Sequence, residues 1–188
     1  RRAEESGADT LPAELDPLER HWLGADLLAA RTAGLDAERW LEVAGARGSL
    51  PPGRLRDTDV SLVSTAVDRI ERSATELGVG LAHPEHHAID LVVGHQRIVG
   101  VVERCVGGDR PGPVRLHYSK SKPAQRIHAA IDLLALVASD PSPEWRAVVI
   151  RRIDAERKGD RADELVLVPV GGSADERREL AVRALDGL

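Results

Sequence analysis

Methionine is absent from the 188 residues, cysteine occurs once, and lysine stands only at Lys120, Lys122 and Lys158. A lone Cys105 cannot close an internal disulfide or build a cysteine-based zinc site, which fits a reducing compartment. It lies in the apolar run IVGVVERCV and is expected to be a buried, inert thiol. No apolar run reaches the length of a membrane span and no signal peptide opens the chain, so a cytoplasmic setting is predicted. A chain that opens RRAEESGAD without methionine is expected to be a piece of a longer protein. The excess of arginine over lysine, with abundant alanine, fits a GC-rich coding sequence and weakens any argument from arginine counts alone.

What is present suffices for a core. At 188 residues and 42% apolar, a domain of this size hides roughly 70% of its unfolded surface. One domain, or one domain with a small helical lobe, is expected. The net charge of −5 gives the body as a whole no reason to approach nucleic acid. Its distribution differs: no Asp or Glu occurs from Arg110 to Ile131, a stretch that holds Arg110, Arg115, Lys120, Lys122 and Arg126. A local positive patch on an acidic body is predicted.

The stretch ELDPLERHWLGADLLAARTAG reads as a helix with Asp16 as N-cap, Pro17 at the first helical position and Glu19 completing a capping box. A second helix is expected after Asp36, with Trp40, Leu41 and Ala44 turned inward, and Gly48 ends it before the turn SLPPG. A third, capped by Asp57 or Asp59, carries Val60, Val63, Val67, Ile70, Ala74 and Leu77 on one stripe. The texture then changes to β-branched runs, AIDLVV, RIVGVVERCV and VRLHYS, which predict a three-stranded antiparallel meander. Helix returns at Pro123, with Ile127, Ile131, Leu134 and Ala138 on one face. WRAVVIRRI and ELVLVPV read as two more strands, and Ser173 with Glu176 opens a last helix. The order predicts an α/β (α+β) fold around one sheet: a helical lobe over residues 1–56 and an α/β domain over 57–188.

HPEHHAID is the densest set of ligand-type side chains, but it matches no metal spacing. His86 and His87 alternate across an extended chain, so a solvated loop leading into a strand is expected, with no metal and no cofactor. The glycine-rich stretches GVG, VGGDRPGPV and VGGSAD lack phosphate-loop spacing and read as turns. No Gly-x-Ser-x-Gly elbow supports a serine hydrolase.

The remaining candidate is VRLHYSKSKPAQR, a strand running into a turn and a helix. Metal-dependent nucleases hold a hard cation between carboxylates on neighbouring strands and place a lysine two residues after the second acid, on the same sheet face. The arrangement of Gly100-Val101-Val102-Glu103-Arg104 before His117-Tyr118-Ser119 resembles the PD-(D/E)xK nuclease fold. Glu103 matches the first acid, while His117 and Ser119 stand where an acid and a lysine are needed. Loss of such a lysine alone removes on the order of a hundredfold in rate. The site is therefore read as degenerate. A rival reading keeps a metal nuclease built from Glu103, Asp90 and Lys120, although Lys120 is one residue out of register and points to the opposite face.

The stretches LDPLERHWLGADLLAARTAG, ARGSLPPG, RIVGVVERCVGG and VRLHYSKSKPAQRIHAAIDLLALVAS are together similar to the C-terminal region of the RecC family. The similarity runs over roughly residues 11 to 153, and its nearest variety is actinobacterial. The family's Tyr-Ser-x-Leu-Lys junction is met by Tyr118, Ser119 and Lys122, with Ser121 at the leucine. The resemblance implies a nuclease-like domain without catalysis, serving as architecture within a RecBCD-type ATP-dependent helicase and exodeoxyribonuclease. It implies RecB and RecD as partner subunits, contact with DNA as part of the complex, and no membrane. The basic stretch then faces DNA phosphates or an acidic partner surface. Neutralising about four or five phosphates predicts a log-log salt slope near −4.

Overall fold

The computed structural model describes residues 15–50, 54–80, 84–107, 109–120, 122–153 and 162–188. Three helices come first: α1 (Pro17–Thr32), α2 (Ala37–Ala46) and α3 (Arg54–Glu76). Strands β1 (Glu85–Val93), β2 (Gln96–Val106) and β3 (Gly112–His117) follow, then α4 (Pro123–Ser139), β4 (Ala147–Arg151), β5 (Asp163–Leu167) and α5 (Ala174–Asp186).

Local chemistry sets the first two helices. The Asp16 carboxylate accepts from the backbone N–H of Leu18 and Glu19 at 2.7 and 2.8 Å, and Glu19 accepts from Asp16 N at 2.9 Å. This is the predicted capping box, with Pro17 satisfying the first turn by needing no partner. Asp36 caps α2 in the same way, accepting from Arg39 N at 2.7 Å. The buried Trp40 ring then ties α2 to α1 by donating its indole N–H to Asp26 at 2.7 Å.

The third helix departs from expectation at its start. It begins at Arg54, so Asp57 lies in its first turn and Asp59 is no cap. Asp59 is buried and accepts from Arg20 Nε at 2.8 Å, joining α3 to α1. A carboxylate with a cationic partner across the helix pair has no need to fold back on its own backbone. The expected boundary at residue 56 also lies within α3. Val63, Val67, Ile70 and Ala74, buried as expected, share one apolar cluster with Leu23, Leu27 and Trp40 of the preceding helices.

The five strands form one sheet in the order β1-β2-β3-β4-β5. β1, β2 and β3 pair antiparallel as predicted, β3 and β4 run parallel with α4 between them in sequence, and β5 returns antiparallel. Strand alternation gives the sheet two apolar faces. Val114, Tyr118, Val148 and Ile150 pack with α1 to α3. Ile89, Leu91, Val102, Cys105, Ala147 and Val149 pack with α4 and α5. Gly112, at φ 149°, opens β3 where a Cβ would overlap the backbone carbonyl of Arg146. Pro111 O accepts from Arg146 N there at 2.9 Å.

Three further expectations change. The first strand reaches back to Glu85, so His86 and His87 belong to it rather than to a loop, and the His87 ring meets Trp145 edge-on at 5.1 Å. In α4 the buried face is Gln125, Ala129, Leu133 and Leu136, with Ala135, Val137 and Ala138 also covered. Ile127 and Ile131, expected inside, are exposed. The end of α4 is apolar on every side, so spacing alone could not select the face that α5 and the sheet cover. At α5 the Ser173 hydroxyl accepts from Glu176 N, but the Glu176 carboxylate accepts from Gly172 N at 2.8 Å rather than from the cap residue. His83, Pro51, Pro52 and Ser121 lie outside the described residues.

Candidate functional site

β2 and β3 stay together only briefly, through Cys105↔Pro113 and Val106↔Gly112. Just before that contact, β2 carries a bulge. Glu85 pairs with Cys105 and His87 with Val102, so Glu103 and Arg104 together stand opposite His86. Arg104 is the only non-glycine residue at positive φ among the described residues, at 56°. A bulge bends its strand and re-aims its side chains. Glu103 is exposed, and Arg104 lines a cleft of about 540 Å³ beside β3.

Three elements besides β2 complete that cleft. α1 contributes His21 and Ala25, β3 and the turn after it contribute Arg115, His117 and Ser119, and the start of α4 contributes Lys122 and Gln125. Gln125 fixes the turn, donating to Ser119 Oγ at 2.7 Å and accepting from Lys122 N at 3.1 Å. Arg115 donates to Asp132 Oδ2 at 3.0 and 2.5 Å. On the neighbouring strand Arg151, paired in register with His117, holds Asp163 at 2.9 Å. None of the described residues lining the cleft is Asp or Glu.

His117 reports the field. Burial pushes its imidazole below the usual histidine range, and Arg115, Arg151, His128 and Lys122 add positive charge in the same direction. Its Nε2 atom is buried without a hydrogen-bond partner.

The other candidate residues disperse. Asp90 pairs with Arg97 at 2.8 and 2.5 Å on an exposed face, which holds its carboxyl below the usual carboxylate range. It stands opposite Val99, away from the bulge that carries Glu103. Lys120 lines a second cleft of about 630 Å³, with Tyr118, Arg69 and Arg152. Arg110 faces Glu144 at 3.5 Å, and Arg126 is exposed on α4. Thus Glu103, Asp90 and Lys120 are not brought together, whereas His117, Ser119, Arg115 and Lys122 are. Among the described residues no three His, Cys, Asp or Glu side chains are grouped to hold a metal ion. Sequence reading missed Arg104 and His21. Arg104 adjoins the candidate acid, but its aim depends on a bulge set by pairing with β1.

The family described as the RecC C-terminal domain matches residues 1–186. The RecBCD enzyme subunit RecC of Mycobacterium tuberculosis strain H37Rv is 31% identical over 149 residues, 77% of this chain and 13% of that protein. The protein of the same name from Mycolicibacterium smegmatis is 30% identical over 151 residues, 79% of this chain and 13% of its own length. The chain therefore spans a small part of these relatives. It belongs to the RecC C-terminal domain family.

Proposed function

We propose that the chain is a non-catalytic, nuclease-like scaffold domain of the PD-(D/E)xK type. In this reading it belongs to the RecC subunit of a RecBCD-type helicase and nuclease acting in double-strand break repair and recombination. RecB and RecD are its partner subunits, and DNA is met within the complex. One observation carries the absence of catalysis: at the end of β3, where a nuclease needs carboxylates, the described lining has Arg104, Arg115, His117 and Lys122 and no acid. Such a lining repels a divalent cation, so the water-activating and leaving-group roles of a metal have no seat there. The side chain that matches the first acid, Glu103, is exposed and does not line the cleft.

The test is incubation of the chain with linear duplex DNA and magnesium or manganese. No cutting above background is expected. Cutting that disappears in Glu103→Ala would overturn the reading and return the role to Glu103, Asp90 and Lys120. Assembly is read separately, by co-purification of the full-length subunit with RecB and RecD.

A further inference from the structure

We propose that the cleft between the β2 bulge and β3 is a phosphate site, in which an oxyanion of a nucleic-acid strand sits between Arg104 and Lys122 and completes the hydrogen bonding of His117. This inference rests on the cleft having no metal cage.

Charge comes first. Arg104 and Lys122 make no ion pair among the described residues, and both line the cleft. Arg115 is already shared with Asp132, and Arg151 behind it with Asp163. The carboxylates facing this region are therefore committed to the two arginines of the sheet, and the two cations at the mouth are left to an outside anion.

Backbone conformation is the second observation. A non-glycine residue at positive φ is unfavourable and persists only where its surroundings impose it. Here the bulge sets Arg104, an exposed side chain, at the edge of the cleft that it lines, whereas its exposed neighbour Glu103 is not among the lining residues. An arginine fork on one side and an ammonium on another suit the oxygens of a phosphate.

The third observation is the orphaned Nε2 of His117. A buried polar atom is ordinarily paired; this one is closed to solvent, and a phosphate oxygen becomes its partner once the imidazole turns toward the cleft that His117 lines. The groups facing this imidazole are Arg115 on its own strand, Arg151 on β4, His128 on α4 and Lys122 before α4. Arg104 and His21 line the same cleft, and Asp132 and Asp163 offset Arg115 and Arg151. An anion arriving among them reverses the local field and favours the protonated ring. Ser119, fixed by Gln125, adds a hydroxyl. The volume of about 540 Å³ exceeds a phosphate, and the half-buried ring of His21 walls the space left for a sugar or base, with the Tyr118 ring buried behind it under Gly24 and Arg152. That wall favours a nucleotide over an acidic peptide.

The experiment follows the His117 ring by NMR, its signal assigned by its loss in His117→Gln, during titration with inorganic phosphate, a short oligonucleotide and a phosphate-free Asp/Glu-rich peptide. Expected are a shifted His117 signal at millimolar phosphate, a higher titration midpoint for the ring, and tighter binding of the oligonucleotide in competition with phosphate. Arg104→Gln should weaken phosphate at least about tenfold, and Lys122→Gln should also weaken it, while Arg126→Gln, outside the cleft, should not. Folding of each variant is checked by its amide spectrum, and Lys122→Gln carries the test if Arg104→Gln disturbs the bulge. A His117 signal indifferent to phosphate overturns the inference, as does stronger binding of the acidic peptide than of the oligonucleotide. Indifference without metal-dependent cutting leaves the non-catalytic reading standing, whereas cutting removes that reading itself.

Discussion

Gly24 of α1 lies directly against the ring of Tyr118, so closely that a Cβ on Gly24 would overlap Cζ and both Cε atoms. The contact seats α1 on the end of β3, next to the turn that carries Ser119 and Lys122. Arg152 covers the same ring, its Cζ 4.7 Å from the centroid. Gly24→Ala is therefore expected to destabilise by about 1–3 kcal/mol, although alanine is the better helix former. A lower urea midpoint with unchanged helix content by circular dichroism would agree. An unchanged midpoint would show that α1 can move off Tyr118 at no cost.

The Arg20–Asp59 pair is unequal. The Asp59 side chain is 4% exposed and that of Arg20 is 30% exposed. Arg20→Ala strands a buried carboxylate, whereas Asp59→Asn leaves a neutral acceptor beside a guanidinium that can turn to water. The first substitution should cost about 2 kcal/mol and the second less than half as much. Chemical denaturation of both variants checks the order, and equal losses would contradict the stated burial.

How much of this was legible depended on how local the cause was. Asp16, Pro17, Glu19 and Asp36 act on neighbouring backbone groups, and the structure keeps each in the role that its spacing implies. Ser119, bonded to α4 through Gln125, and Lys120, which lines the other cleft with Tyr118, are parted as expected, although both follow the end of β3 at His117. Tertiary choices were not legible. Asp59 looked like a cap because its partner, Arg20, lies on another helix. Ile127 and Ile131 looked buried because α4 offers several apolar faces. Arg104 looked like an ordinary strand residue because its conformation comes from pairing two β2 residues against one of β1. The basic stretch was visible, but its partners Glu144 and Asp132 lie beyond it and take up Arg110 and Arg115.

Cys105 is buried, and burial pushes its thiol up to about 11, with Asp132 and Glu85 adding to the shift. Native protein at pH 8 should therefore resist a thiol reagent, and labelling should appear only as denaturant opens the sheet. The same shift has a stability consequence. The folded state keeps its proton where the unfolded thiol, near its ordinary value, begins to lose it, so this contribution is full below about pH 8.5 and declines as pH rises toward 11. Rapid stoichiometric labelling without denaturant would contradict the burial.

The opposite sign applies to His117. Its folded pKa lies below 6.5, so near pH 7 both folded and unfolded forms are neutral, and acidification protonates the unfolded chain first. Stability should fall as pH drops through 6.5 toward the depressed folded value. In His117→Gln, which cannot protonate, the loss between pH 7 and pH 5 should be smaller than in the parent. Added phosphate should also reduce the parent's loss, because an anion beside the ring raises its folded pKa toward that of the unfolded chain. Unfolding curves at the two pH values, with and without phosphate, measure both effects. Parallel curves for parent and variant would mean that burial and the cations around His117 together leave its proton affinity unchanged, against the buried, positive setting described for the ring.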